Sequence, residues 1–210
     1  MRISEIFRSL QGEGVQIGLP TVFVRTCGCN LQCSWCDTAY ASAKEGEEIS
    51  VPEIVDRVRS YKTLQVCLTG GEPLLQKDVY TLIDRLLEGS FRLSVETNGS
   101  LPIDEMPCSE NLLISMDIKC PSSGMVDRMV MGNIELLAPT DQLKFIVAEE
   151  GDLLFAEKVL RENKVVCEVI FTPVGGLDLR PVAEWVLKKG LQARVLPQLQ
   201  KIIWGQRRGV

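Results

Sequence analysis

Three cysteines in the run GCNLQCSWCDT, Cys29, Cys33 and Cys36, are spaced C-x3-C-x2-C. Thiolates crowded into one short loop are how proteins hold iron–sulfur clusters. Three protein ligands on a 4Fe–4S cluster leave the fourth iron open to a small molecule. The competing chemistry is a structural zinc site, because Cys27 makes four cysteines within ten residues. Zinc sites pair two separated C-x2-C or C-x2-H knuckles to close a tetrahedron. This run has a single x2 pair and the chain has no histidine, so the cluster is the better reading and Cys27 stays outside the ligand set.

Further polar groups recur along the chain. Thr69-Gly70-Gly71-Glu72-Pro73 combines glycines that let the backbone approach a ligand with a carboxylate, Glu72, able to receive an ammonium group. Glu96-Thr97-Asn98-Gly99 could meet the hydroxyls of a ribose, although Asn-Gly is first of all a turn signal. Ser115-Met116-Asp117-Ile118-Lys119 is the fourth such stretch.

Strands and helices alternate around these motifs, which predicts a mostly parallel sheet with covering helices. PTVFVRT (20–26), LQVCLT (64–69), FRLSVE, LLIS, QLKFIV, VVCEVIF and ARVLP read as strands. Ser50 caps a helix running to about residue 61, with Pro52 in its first turn. A second helix from about residue 77 carries Val79, Leu82, Ile83, Leu86 and Leu87 on one face and stops at Gly89. Asp152 caps a third, and a fourth starts at Asp178 and ends at Gly190. Six or so βα units fall short of a closed eight-stranded barrel. The expectation is an α/β fold: an open, partial (β/α) barrel of about six strands, one domain over 1–210, with its chemistry at the carboxyl ends of the strands. The cysteine loop, GGEP, ETNG and SMDIK do each follow a predicted strand.

Bulk properties narrow the classes. The 210 residues carry a net charge of −5, so there is no general field to attract nucleic acid. No apolar run approaches the ~20 residues of a membrane span, and MRISEIFRSL is too charged for a secretory leader. Eight cysteines that stay reduced point to the cytoplasm; Cys67, Cys108, Cys120 and Cys167 read as small hydrophobes.

The cysteine spacing, with Trp35 before its last member, resembles the signature of radical S-adenosylmethionine enzymes, and GGE resembles the motif with which they hold the cofactor's methionine end. EIFRSLQGEG, FVRTCGC, WCDT and the terminal RVLPQLQKIIWGQRRGV together resemble the 7-carboxy-7-deazaguanine synthase family along the whole chain. That resemblance implies conversion of 6-carboxy-5,6,7,8-tetrahydropterin to 7-carboxy-7-deazaguanine with loss of ammonia, a carbon–nitrogen lyase activity of queuosine and archaeosine biosynthesis. It implies a 4Fe–4S cluster, S-adenosylmethionine and Mg²⁺ as cofactors. The partners implied are a one-electron donor such as a flavodoxin or ferredoxin and a second copy of the chain, with no nucleic acid and no membrane.

Residue by residue, the resemblance places Trp35, Cys36, Asp37, Gly71, Glu72, Glu96 and Asn98 at the cofactor, with Ser115, Asp117 and Lys119 as further contacts there. It places Leu10, Gln11, Gly12, Glu13, Thr69 and the Val210 carboxylate at the substrate. Arg25 is expected to meet the pterin carboxylate, a task suited to a guanidinium fork, against its plain reading as a surface ion pair. Thr38 is expected to ligate Mg²⁺, as one of few protein ligands beside substrate and water oxygens. Relatives often have histidine where this chain has Gln200, which can hydrogen-bond but not relay a proton. The rival readings are a glycyl-radical-enzyme activase, which must admit a polypeptide, and a zinc-binding module without chemistry.

Cys29→Ala, Cys33→Ala and Cys36→Ala should each abolish the brown absorbance of the anaerobically reconstituted protein, while Cys27→Ala keeps it. Iron and sulfide content per chain checks this, and a dispensable member of the three would refute the ligand set.

Overall fold

The computed structural model describes residues 1–42 and 46–210. Among the described residues nine strands form one sheet in the order β3-β1-β2-β4-β5-β6-β7-β8-β9. They are β1 (Arg2–Leu10), β2 (Pro20–Thr26), β3 (Glu47–Glu48), β4 (Gln65–Gly70), β5 (Arg92–Thr97), β6 (Leu112–Lys119), β7 (Gln142–Val147), β8 (Glu168–Pro173) and β9 (Arg194–Val195). From β2 to β9 every neighbouring pair is parallel. The partial barrel of about six strands is thus present as β2 and β4 to β8, extended by the two-residue β9. The sequence reading missed β1, which pairs antiparallel with β2 and β3; its mixed Glu, Arg and Ser content hides it.

Helices are α1 (Ala39–Ser42), α2 (Val51–Ser60), α3 (Val79–Glu88), α4 (Glu150–Glu162), α5 (Arg180–Lys189) and α6 (Leu199–Trp204). Ser50 caps α2 as expected, accepting from the Glu53 amide at 3.4 Å. Two expectations need correction. Asp152 does not cap α4, whose N-cap is Glu149; it lies one turn in and accepts from the Ala148 and Ser122 amides. Asp178 lies outside α5, whose N-cap is Leu179. The βα alternation also lapses twice: β5 to β6 and β6 to β7 are joined without an α-helix. Pro102, Pro107 and Pro121 break these connections, and Ile103, Ile134 and Leu137 bury against the sheet in place of a helix.

Strand alternation divides the sheet into two faces. Val24, Leu68, Val95, Met116 and Phe145 turn outward under the helices and are fully buried. Phe145 stacks on Phe171 at 5.3 Å, which in turn meets Trp185 of α5 at 6.0 Å. The opposite face is polar: Arg25, Thr69, Glu96, Asp117 and Lys144 all line one cavity, so the sheet curves around it. The segment after β1 spans the open side. The Val15 amide donates to Gln142 on β7 at 2.8 Å, and the Gly12 carbonyl accepts from the Leu199 amide at 2.9 Å.

Phe145→Ala should cost about 3–5 kcal/mol as a cavity is left between sheet and helices. Leu187→Ala, at a position 80% exposed, should stay within about 0.5 kcal/mol. Urea midpoints of the two variants provide the comparison.

Candidate active site

The cavity measures about 280 Å³ and lies at the carboxyl ends of the strands. Its wall is a charge-paired ring. Glu96 accepts from Thr69 Oγ1 at 2.8 Å and from Gln11 Nε2 at 3.3 Å. Lys144 Nζ lies 3.1 Å from Glu13 and 3.2 Å from Asp117, and Lys119 Nζ lies 2.7 Å from Asp117. Burial works against ionisation of Asp117, but the two lysines outweigh it and hold its carboxyl below the ordinary range. Burial likewise opposes charge on Glu13, and Lys144 with Gln198 pulls its carboxyl low. The Lys144 ammonium is held well above its usual value by Asp117 and Glu13 despite burial.

Cys29, Cys33 and Cys36 all face this cavity, and Cys27 is buried away from it. The loop is positioned from several sides. Gly28 has φ +90°, a conformation glycine adopts without strain. A Cβ on Gly71 would strike the Gly28 carbonyl, so this glycine lets the GGEP turn lie directly against the cysteine loop. Cys29 Sγ accepts from the Leu31 amide at 3.4 Å and from Asn98 Nδ2 at 3.6 Å. Trp35 Nε1 donates to Ser122 Oγ at 3.0 Å, and Asp152 fixes Ser122 in turn. Lys119 sits over the Trp35 ring at 5.5 Å. Burial pushes the Cys33 thiol up, and Lys119 opposes it.

This donor set fits an iron–sulfur cluster. Its three thiols come from one short loop and face one cavity. A tetrahedral zinc site needs its thiolates within about 4 Å of one another, whereas a cluster takes each thiolate on a separate iron. Amide donors aimed at a sulfur, as at Cys29, are a common way to tune such clusters.

The other expected residues are distributed around the cavity and behind it. Leu10, Gln11, Gly12, Trp35, Asp37, Thr38, Gly71, Asn98 and Val210 reach the cavity wall. Thr38 Oγ1 is 3.9 Å from Cys36 Sγ. Asp37 is paired with Lys201 at 3.1 Å, so its carboxylate holds α6. Glu72 does not line the cavity: it is fully buried and accepts from the Leu74 and Asn98 amides and from Thr97 Oγ1. Ser115 is excluded from the wall as well, being tied to Gln142 Nε2 at 2.6 Å. Arg25 is not a buried guanidinium lacking an anion, because its Nε meets Glu5 at 2.8 Å. Gln200 donates to Glu13 at 3.3 Å, packs over Gly12, and leaves its Oε1 buried without a partner.

Sequence reasoning missed Lys144, Gln198 and Glu5. The signal for Lys144 was available: a lone charge at an alternate position of the apolar strand QLKFIV faces the barrel interior.

The Radical SAM superfamily profile matches residues 23–137. A 7-carboxy-7-deazaguanine synthase of Methanospirillum hungatei JF-1 is 44% identical over 207 residues, covering 97% of this chain and 85% of that protein. One of Thermoplasma acidophilum is 39% identical over 210 residues and covers 100% of both. Among solved structures, QueE from Escherichia coli superposes with a TM-score of 0.72 at 23% identity over 92% of each chain. SuiB from Streptococcus suis, bound to the precursor peptide SuiA, gives 0.62 at 16% identity over 82% of this chain and 47% of that one. These two likenesses concern the fold.

Lys144→Met should destabilise the protein by about 3 kcal/mol near neutral pH, the lower end for a broken buried pair, since Lys119 and Gln198 still serve the two carboxylates. Glu13 and Asp117 are held below their ordinary 4.5 and 3.8, so their stabilisation exists above those values and fades as pH falls through the folded-state ones. The gap between variant and parent should therefore narrow below about pH 4. Thermal midpoints across pH 3.5–8 test it, and a pH-independent gap would count against the charge pairing.

Proposed function

The chain belongs to the 7-carboxy-7-deazaguanine synthase family of the radical S-adenosylmethionine superfamily, and from that membership we propose that it converts 6-carboxy-5,6,7,8-tetrahydropterin into 7-carboxy-7-deazaguanine with loss of ammonia. The observation that carries the reading is one cavity faced by three thiols, an arginine on the first parallel strand, and the segment from Gly205 to Val210. A 4Fe–4S cluster with S-adenosylmethionine supplies, when bound, the one-electron chemistry that starts the ring contraction.

Cys29, Cys33 and Cys36 hold the cluster. The main chain at Trp35, Cys36 and Gly71, with Glu96, Asn98, Asp117 and Lys119, surrounds the cofactor. Glu72 serves it indirectly, by fixing the turns that carry Gly71 and Asn98. Thr38 offers a neutral hydroxyl to Mg²⁺. Gln11, Gly12 and Thr69 present hydrogen-bonding groups to the pterin. Glu13, kept ionised by Lys144, accepts from its amino-pyrimidine edge together with the Val210 carboxylate. Arg25 takes the pterin carboxylate through the nitrogens that Glu5 leaves unused. The residues from Gly205 to Val210 lie along the same wall and keep bulk water from the reacting ring.

A cavity of about 280 Å³ narrowed by the chain end suits a small molecule and argues against the activase reading. We further propose a homodimer of the reducing cytoplasm, served by a ferredoxin- or flavodoxin-type donor; eight cysteines held as thiols suit that compartment.

The test is anaerobic reconstitution followed by turnover with S-adenosylmethionine, a reductant and the carboxypterin. Arg25→Ala should lower kcat/KM by roughly 30-fold to several thousand-fold, the usual cost of one charged partner. Removing Gly209 and Val210 should weaken the same step. Parental kinetics in both variants would leave a radical enzyme of another substrate.

A further inference from the structure

Behind Arg25 stands a residue that does not itself line the cavity. Glu5 Oε1 accepts from Arg25 Nε at 2.8 Å and from the Tyr40 hydroxyl at 3.0 Å. Its place opposite Arg25 depends on an irregularity in β1: Ile3 pairs with Thr26 and Glu5 with Arg25, so two steps on β1 match one on β2. Bulges of this kind re-aim side chains next to functional sites. Here Ile3 turns into the core, 2% exposed, while Glu5 and Phe7 turn to the cavity side. In an unbroken ladder the two residues would share a face, and either the isoleucine would leave the core or the carboxylate would enter it.

The guanidinium is also boxed in. Its central carbon lies 5.9 Å from the Phe7 ring and 6.0 Å from the Tyr40 ring, and the Tyr40 ring carries Arg208 of the tail at 3.4 Å. Glu5 uses Nε alone, which fixes the plane of the group. Among the described residues no hydrogen bond or ion pair engages the two terminal nitrogens, so their edge remains for a planar, two-oxygen anion, the geometry of a bidentate pair. An unrestrained arginine has more rotamer freedom to lose on binding.

We propose that Glu5, set in place by the β1 bulge, is the positioning residue that presents the Arg25 fork to the carboxylate of the ligand. This rests on the pterin reading above. Glu5 acts through Arg25, so removing it should affect only ligands that bear the carboxylate. Glu5→Gln keeps an oxygen that can accept from Nε and from Tyr40, whereas Glu5→Ala releases the arginine.

The test is equilibrium binding of 6-carboxypterin and of pterin without the carboxylate to the reconstituted enzyme. Glu5→Ala should raise the Kd of 6-carboxypterin by roughly tenfold or more, Glu5→Gln by less than about threefold, and neither should move that of pterin. In an Arg25→Ala background Glu5→Ala should add nothing, as expected for two residues acting as one unit. Unchanged or tighter 6-carboxypterin binding in Glu5→Ala, with Arg25→Ala still deleterious, overturns this inference alone. An equal loss for both pterins assigns Glu5 a purely structural role and also overturns it. If the parent protein binds neither pterin, the substrate reading fails and this inference with it.

Discussion

Charge pairing on the inner face of an open sheet is the constraint on which the site depends. A closed barrel can fill its interior with apolar layers, but this sheet turns Arg25, Glu96, Asp117 and Lys144 inward. Leaving any of these unpaired away from water costs several kcal/mol. The chain answers with alternating signs around the arc: Glu5 with Arg25, Asp117 between Lys119 and Lys144, and Glu13 beyond Lys144. Glu96 is satisfied by two neutral donors, Thr69 and Gln11. Such an arrangement is held rigid before a ligand arrives, which spares much of the ordering cost of binding.

Two of these charged partners come from outside the parallel strands. Glu5 lies on the antiparallel β1, and Glu13 lies in the segment that follows it. The same segment meets β7 through Gln142 and α6 through Leu199, so closing the gap and completing the charge pattern are one event. Gln198 reaches both Glu13, at 2.7 Å, and Asp37, at 3.2 Å, which links the chain's end to the loop bearing Thr38. A shift of the tail would therefore be felt at the substrate's acceptors and at the edge of the cysteine loop together.

The parallel core was legible in the sequence because its strands are short apolar runs and each motif follows one of them. The three thiols were equally plain from residue type and spacing, whereas the places of Gly71 and Arg25 came from the family resemblance. What was hidden depends on tertiary context. Strand β1 lacks an apolar pattern because its cavity side and its outer side are both partly polar, and the bulge between Ile3 and Glu5 breaks its period. Asp152 carries the composition of a helix cap, yet its oxygens are drawn to Ser122 beneath the cysteine loop. The helix-free links after β5 and β6 look like missing units until Ile103 and Ile134 are seen burying in their place.

Glu72 shows how a motif can be organised by a residue that does not itself line the cavity. Its type and its position after two glycines suggest a ligand contact, but burial pushes its carboxyl up to about 7, against three donors that favour the charged form. A fully exposed carboxylate would not pay that penalty, so the position must be held for what it organises. It joins the GGEP turn, through the Leu74 amide, to the ETNG turn, through the Asn98 amide and Thr97 hydroxyl. Asn98 then donates to Cys29 Sγ. The glutamate thus acts on the thiol at one remove, and the backbone of the two glycines, not the carboxylate, is the part of the motif turned toward the cavity.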